Sequence, residues 1–561
     1  MKPWQGIYFA LQPGPACTQR DVYAASSNTV KVIGSEDCLY LNIWAPAFQP
    51  ESIPQQDRRL PVMVWIHGGS NIRGEGSTFR AETFVLSQKV IVVTVNYRLG
   101  AFGWFRHPSL RSIANNDEDR SGNYGTLDII TALEWVKKNI AAFGGDPERI
   151  TLFGESAGGW NVCTLLASPK AAGLFQRAIV QSGSPSTFDP QISENYADDF
   201  IAGDPQSSGE VLLQLLLDDG LADNRDAAKA TVAAMGNCAV ATYLHNKSAA
   251  DFETAYKKIR TEKKQSVLEL PMLFRDGSVL PADGVETALA EGRFNKVPVI
   301  FGATQDEYTL LLTLFPDTPF VQQDPSTGIR IKNHDHFYRA AYYLSRLLTV
   351  ATVNKPLTQI AQHLAAQTFS YTFNWNFLLP APIVDNIQLG ATHGLDVVFL
   401  FGMENLGPEF LQIPLIDQRY ANSYRFLSDA MMSYWAEFAY SGNPARGRCG
   451  KLPLWESWCP EKSTTSFVLD DPHKGGLRMQ QTCLRKVDIL DELKNDLFFS
   501  SAAARCVFLH ALYSIGRRFA LLNEFDYGDF CHDLCTSGAN RQAPTTLVED
   551  HSSHECKTFN K

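Results

Sequence analysis

No run of about 18 consecutive apolar residues, the length a helix needs to cross a bilayer, occurs in the sequence. Its greasiest stretches, VIVVTV (90–95) and VLLQLLL (211–217), have the size of a strand or a globular helix, so no transmembrane segment is expected. Positive charge is scarce as well. With 50 Lys and Arg against 60 Asp and Glu, the net charge is −10, which leaves no basic field to draw phosphate backbones and excludes nucleic acid as an expected partner. Cysteine is sparse, 11 in 561 residues. That is too few for a disulfide scaffold, and the odd number leaves at least one thiol unpaired. There is no G-x-x-x-x-G-K-S/T, and no G-x-G-x-x-G following a first strand, so nothing in the sequence cradles a nucleotide phosphate. No metal is expected: His334 and His336, or Cys531, Cys535 and Cys556, stand without the four-ligand spacing of a closed site. The N-terminal MKPWQGIYFALQPGPAC has Gly, Gln and Pro inside its apolar stretch and lacks the tripartite form of a secretion signal. Internal repeats, Pro-rich linkers and low-complexity tracts are missing before the C-terminus.

Hydrophobic residues make up 45% of the chain, enough for a large core. From about residue 60 to 440, short β-branched runs alternate with longer helix-period segments, the pattern of an α/β protein with a parallel sheet covered by helices. LPVMVWI (60–66) and VIVVTVNY (90–97) are apolar almost throughout, as strands buried on both faces should be. In TLDIITALEWVKKNIAAF (126–143), Leu127, Ile130, Leu133, Val136, Ile140 and Phe143 form one apolar stripe of a helix. GGDP (144–147) stops that helix, and ERITLFG (148–154) reads as the next strand. Further strands are expected at 178–183, 297–304 and 369–375, with a long helix at 421–442. The helix-rich stretch 190–295 reads as an insertion over the carboxyl edge of the sheet. After residue 537 apolar residues become few, which predicts a flexible tail over 537–561.

Gly154-Glu155-Ser156-Ala157-Gly158 lies directly after a strand and before a helical run. Two glycines there permit a sharp turn that presents a strained serine at the sheet edge, its hydroxyl at a helix N-terminus. A glycine-rich turn with a capping serine would give the same bare pattern; the strand-turn-helix setting favours a nucleophile. Serine needs a base and an orienting carboxylate, and in this topology the chain order is Ser, acid, His. His393 stands on a Gly-flanked loop in GATHGLDVVFLFG (390–402). The acid candidate is Glu307 in FGATQDEYTLLL (301–312), with Asp306 its competitor. HGGSNIRGEG (67–76) follows a strand and can offer successive backbone N–H groups to an oxyanion, joined by that of Ala157.

These segments resemble the type-B carboxylesterases, the cholinesterase-like branch of the α/β-hydrolases. SEDCLYLNIWAP (35–46), the HGG loop (67–69), VNYRLGAFG (95–103), residues 122–159, FQRAIVQSGSP (175–185), HGLDVVFLFG (393–402) and YWAEFAYSGNP (434–444) resemble family blocks, in family order. The resemblance implies a large, mostly parallel central sheet with helical insertions over its carboxyl edge. It also implies a catalytic domain over 1–485; residues 486–536, beyond the matching blocks, read as a C-terminal helical extension. By the same resemblance Ser156 is the nucleophile, Glu307 the acid and His393 the base, with Gly69, Ser70 and Ala157 as oxyanion donors. The implied activity is hydrolysis of a small-molecule or lipid ester through an acyl-enzyme, without metal or cofactor. The family also holds catalytically inactive binding proteins, which usually lack the nucleophile or the base; both are present here. Where the family usually has three glycines, this chain has Gly68, Gly69 and Ser70. Cys17 and Cys38 resemble a family disulfide, implying an oxidising, extracytoplasmic compartment. The loop they would close contains no tryptophan, unlike that of the choline-binding members, which argues against a choline-ester specialist. KPWQGIYFALQPGPACTQ resembles a segment some tens of residues into the family domain, so the first strands and any signal peptide are expected upstream of Met1.

Overall fold

The structure, a computed structural model, describes residues 9–21, 30–315, 318–324, 328–364, 366–377, 387–403, 418–459, 465–481, 484–516, 521–522 and 530. The segment 537–561, read as a tail, lies outside the described residues. Nine strands build one sheet: β1 Leu41–Trp44, β2 Leu60–Ile66, β3 Ile91–Val95, β4 Gly145–Glu155, β5 Arg177–Gln181, β6 Val299–Thr304, β7 Thr368–Phe373, β8 Thr465–Leu469 and β9 Arg478–Gln481. Their spatial order is β9-β8-β7-β6-β5-β4-β2-β3-β1. All neighbours run parallel except the edge pairs, β1 with β3 and β9 with β8. Chain order reverses between β2 and β4, and the carboxyl ends flanking such a switch point are where open α/β sheets place ligands.

Every residue of β3 and all of β2 beyond Leu60 are buried, as their unbroken apolar runs predict for strands covered on both faces. Met63, Trp65, Val92 and Phe153 face one core layer, shared with the helix Ala421–Ser441. Val62, Val64, Ile91 and Leu152 face the other, covered by α1 (Tyr124–Asn139) and α2 (Ala157–Ala167). Each such fully buried aliphatic or aromatic side chain contributes about 1.5–3 kcal/mol.

Most boundaries shift by one or two residues from the sequence reading, and two differences have a visible cause. Helix α1 stops at Asn139 and continues as a 3-10 turn over Ile140–Phe143. The tighter winding rotates the last stripe residue off the buried face, and Phe143 is 41% exposed. Strand β4 begins at Gly145 rather than at 148, because the turn residues already pair with β2 across an irregularity in register between Leu60 and Val62. The stretch 190–295 is helical as expected, with Ser208–Asp218, Arg225–His245 and Ala249–Lys263 as its main helices. Beyond the sheet, Lys486–Lys494 and Ala502–Gly516 are helices.

Candidate active site

Ser156 sits between β4 and α2 with φ 56° and ψ −124°, a conformation that costs a non-glycine residue of order 1–3 kcal/mol. Packing around it leaves no alternative. A Cβ on Gly158 would lie 2.0 Å from the Ile66 carbonyl oxygen, and one on Gly154 2.7 Å from the same atom. The helix start is thus pressed onto the end of β2, and only glycine permits that approach. Ser156 N–H donates to Gln181 O at 2.9 Å, and its carbonyl accepts from Trp160 N–H at 2.8 Å, so both sides of the turn are fixed.

His393 Nε2 lies 2.8 Å from Ser156 Oγ, and its Nδ1 bonds to Glu307 Oε2. Glu307 opens the short helix α3 (Glu307–Leu311) at the carboxyl end of β6. Its Oε1 accepts from Thr304 N–H at 2.8 Å and from the Ser182 hydroxyl. Burial alone would raise the Glu307 carboxyl, but the neighbouring imidazole and these donors hold it below the usual carboxylate value. The competitor, Asp306, does not reach the imidazole. Its carboxylate accepts from Ala391 N–H at 2.8 Å while its own N–H donates to Ala391 O at 2.9 Å. Asp306 therefore clamps the backbone of the histidine loop and Glu307 orients the ring.

Glu155 was not singled out by the sequence reading. Its carboxylate, 5% exposed, lies 3.3 Å from His393 Nε2. Burial resists a charge on His393, but Glu155 and then Glu307 outweigh it and raise the imidazole above its ordinary value. The available signal was position: an acid next to the serine at the same strand end lies within reach of the serine's surroundings, though adjacency alone does not say which way it points. Ser182, just past β5, was missed for the same reason.

On the far side of Ser156, Gly69, Ser70 and Asn71 all hold positive φ, at 98°, 58° and 59°. A Cβ on Gly69 would lie 2.3 Å from Arg73 O. The φ of Ser70 lies in the left-handed range that a residue with a side chain adopts uncommonly but without a forbidden clash. Among the described residues none accepts a hydrogen bond from the N–H groups of Gly69, Ser70 or Ala157. The apolar pocket over Ser156 is lined by Trp160, Leu268, Met272, Leu311 and Leu348 together with Ser70 and His393. His334 and His336 lie elsewhere, on the first turn of α4 (His334–Thr349), where His336 packs edge-on against Phe498. Cys17 and Cys38 are joined in a buried disulfide. Among the described residues no helix is long and apolar enough to cross a membrane.

Fold and site together define the class, a serine hydrolase on an α/β-hydrolase scaffold. The chain belongs to the carboxylesterase family, whose family model matches residues 1–343 and 331–485, and it is a carboxylic ester hydrolase. It is 32% identical to para-nitrobenzyl esterase of Bacillus subtilis (strain 168) over 484 residues, 83% of this chain and 86% of that protein. It is 30% identical to carboxylesterase 4A of Bos taurus over 522 residues, 86% of this chain and 85% of that protein. Among solved structures, a carboxylesterase of Geobacillus stearothermophilus superposes with a TM-score of 0.60 at 26% identity, covering 85% of this chain and 88% of that one.

Proposed function

We propose that Ser156, His393 and Glu307 carry the hydrolysis as a nucleophile, base and acid, with Gly69, Ser70 and Ala157 as the oxyanion donors. His393 Nε2 takes the Ser156 proton as Oγ attacks the ester carbonyl carbon, and Glu307 holds the Nδ1–H so that Nε2 faces the serine. The tetrahedral oxyanion meets the three backbone N–H groups, each such donor being worth about 10²–10³ in rate. Collapse expels the alkoxide, which takes the proton from His393. Water then gives a proton to the same nitrogen as it attacks the acyl-serine carbonyl, and collapse of the second tetrahedral intermediate returns that proton to Ser156 Oγ and releases the carboxylic acid. The observation that carries this reading is the continuous contact Glu307–His393–Ser156, with a 2.8 Å bond at the nucleophile. The pocket's Leu, Met and Trp lining suits uncharged esters with an apolar acyl or alcohol group. We further propose an extracytoplasmic location, which the Cys17–Cys38 disulfide supports.

The test is hydrolysis of p-nitrophenyl esters from acetyl to long acyl chains by wild type and Ser156→Ala, with both folds verified. A loss of about 10⁴-fold or more is expected in the variant. Equal rates in the two proteins would overturn the assignment of Ser156.

A further inference from the structure

We propose that Gln19 is a positioning residue for the oxyanion loop, anchored in turn by the Cys17–Cys38 disulfide. The proposal rests on the assignment of Gly69, Ser70 and Ala157 as oxyanion donors. Gln19 is 55 residues from Gly74 in sequence, yet its primary amide closes a two-way pair with that residue's backbone. Its Nε2 donates to Gly74 O at 3.0 Å, and its Oε1 accepts from Gly74 N–H at 2.9 Å. The side chain is 8% exposed, and Nε2 also donates to Cys17 O at 3.0 Å. A flexible glutamine is thereby fixed at both ends of its amide.

Gly74 closes the loop that begins at His67. It has φ 110°, and a Cβ there would lie 2.5 Å from His67 Nδ1 and 3.0 Å from Gly68 O. The returning limb therefore rests directly on the first residues of the loop. Arg73 N–H and Ile72 N–H both donate to Gly69 O at 3.1 Å, which passes any shift of that limb to the donor itself. Three consecutive positive φ values at 69–71, two of them on residues with side chains, are unfavourable on their own and persist only where neighbours impose them. Gln19 supplies one such constraint from outside the loop.

The platform beneath Gln19 is cross-linked. Gln19–Arg20 pairs antiparallel with Val32–Ile33, immediately after the disulfide. Asn96, just past β3, ties the same unit to the loop a second time. Its Nδ2 donates to Pro15 O at 3.0 Å and Cys38 O at 3.1 Å, and its Oδ1 accepts from Gly76 N–H at 2.8 Å. The disulfide segment and the descending limb 74–76 thus form one hydrogen-bonded body, and the two loop donors, Gly69 and Ser70, hang from it.

The experiment compares wild type, Gln19→Ala and Gln19→Glu on p-nitrophenyl butyrate, with active sites titrated by a fluorophosphonate so that kcat is counted per competent serine. An aryl trifluoromethyl ketone, which adds to Ser156 as a tetrahedral oxyanion mimic, reports on the donors directly. For Gln19→Ala, kcat per titrated site is expected to fall about tenfold or more with KM within twofold, and ketone affinity to fall in parallel. Gln19→Glu keeps the acceptor for Gly74 N–H but turns an oxygen towards the carbonyls of Gly74 and Cys17, and should fall at least as far as Gln19→Ala. Should Gln19→Ala lose its cooperative melt, Gln19→Glu is judged by the same criteria. A kcat per site and ketone affinity within twofold of wild type would overturn the proposal, as would a loss confined to the number of titratable sites. Wild type lacking Ser156-dependent turnover would instead overturn the functional reading beneath it.

Discussion

At His393 the carboxylates of Glu155, Glu307 and, more weakly, Asp396 compete with burial for control of one proton, and the sign of the outcome is measurable. Attack on the ester needs the neutral imidazole, so kcat/KM rises with pH through the pKa of His393 in the free enzyme. Glu155 and Glu307 raise that pKa above the ordinary 6.5, so the midpoint of the acid limb should fall above 6.5. Glu155→Gln removes one negative charge 3.3 Å from Nε2 and should move the midpoint down while leaving Glu307 to orient the ring. A pH profile of p-nitrophenyl acetate hydrolysis checks both, and a wild-type midpoint below 6.5 or an upward shift in the variant would contradict the account. The serine and histidine were legible in the sequence because turn chemistry and chain order constrain them. For the acid the sequence favoured Glu307 but kept Asp306 as a competitor. Adjacent residues at a strand end point in different directions, and only the folded loop shows that one carboxylate meets the ring while the other meets the Ala391 backbone.

Among the elements, α2 is the one whose placement the chemistry depends on most. Its first turn carries Ser156 O, the Ala157 N–H and Gly158, and it is buried along its whole length. A methyl at Gly158 would meet the backbone carbonyls of Ile66 and His67 at 2.0 and 2.7 Å, and neither can swing aside as a side chain could. Gly158→Ala should therefore destabilise the fold by about 3 kcal/mol, at the upper end of overpacking costs. Urea titration followed by circular dichroism checks it, and an unchanged midpoint would show that α2 can slide. The central strands were readable because burial on both faces writes continuous apolar runs. The outer strands β1, β8 and β9 were not, since LNIW, TSFVL and RMQQ are short and mix polar with apolar residues, even though β8 buries Ser466 together with Phe467, Val468 and Leu469. Their pairing is decided by neighbours that lie far away in sequence.

On the scale of the whole molecule, the site draws on residues 67–70, 154–157, 182, 306–307 and 391–393, so no local segment can build it. The sheet brings these together only when its strands are in register, and what fixes the remote N-terminal segment to that sheet contributes to the same cooperative unit. The Cys17–Cys38 bond closes a span of 21 residues, for which the chain-entropy estimate is about 3 kcal/mol. Besides anchoring Gln19, the disulfide restricts the unfolded chain. Cys17→Ser with Cys38→Ser should therefore lower the melting temperature by roughly a few degrees in a chain of this size. Calorimetry of the double variant against wild type, each with and without a reductant, separates the contributions. Reductant should depress the wild-type transition towards that of the double variant and leave the variant where it is. If the variant melts with wild type, the segment is held by Gln19, Asn96 and its own strand pairing alone, and the support that the disulfide lends to an oxidising compartment would be withdrawn.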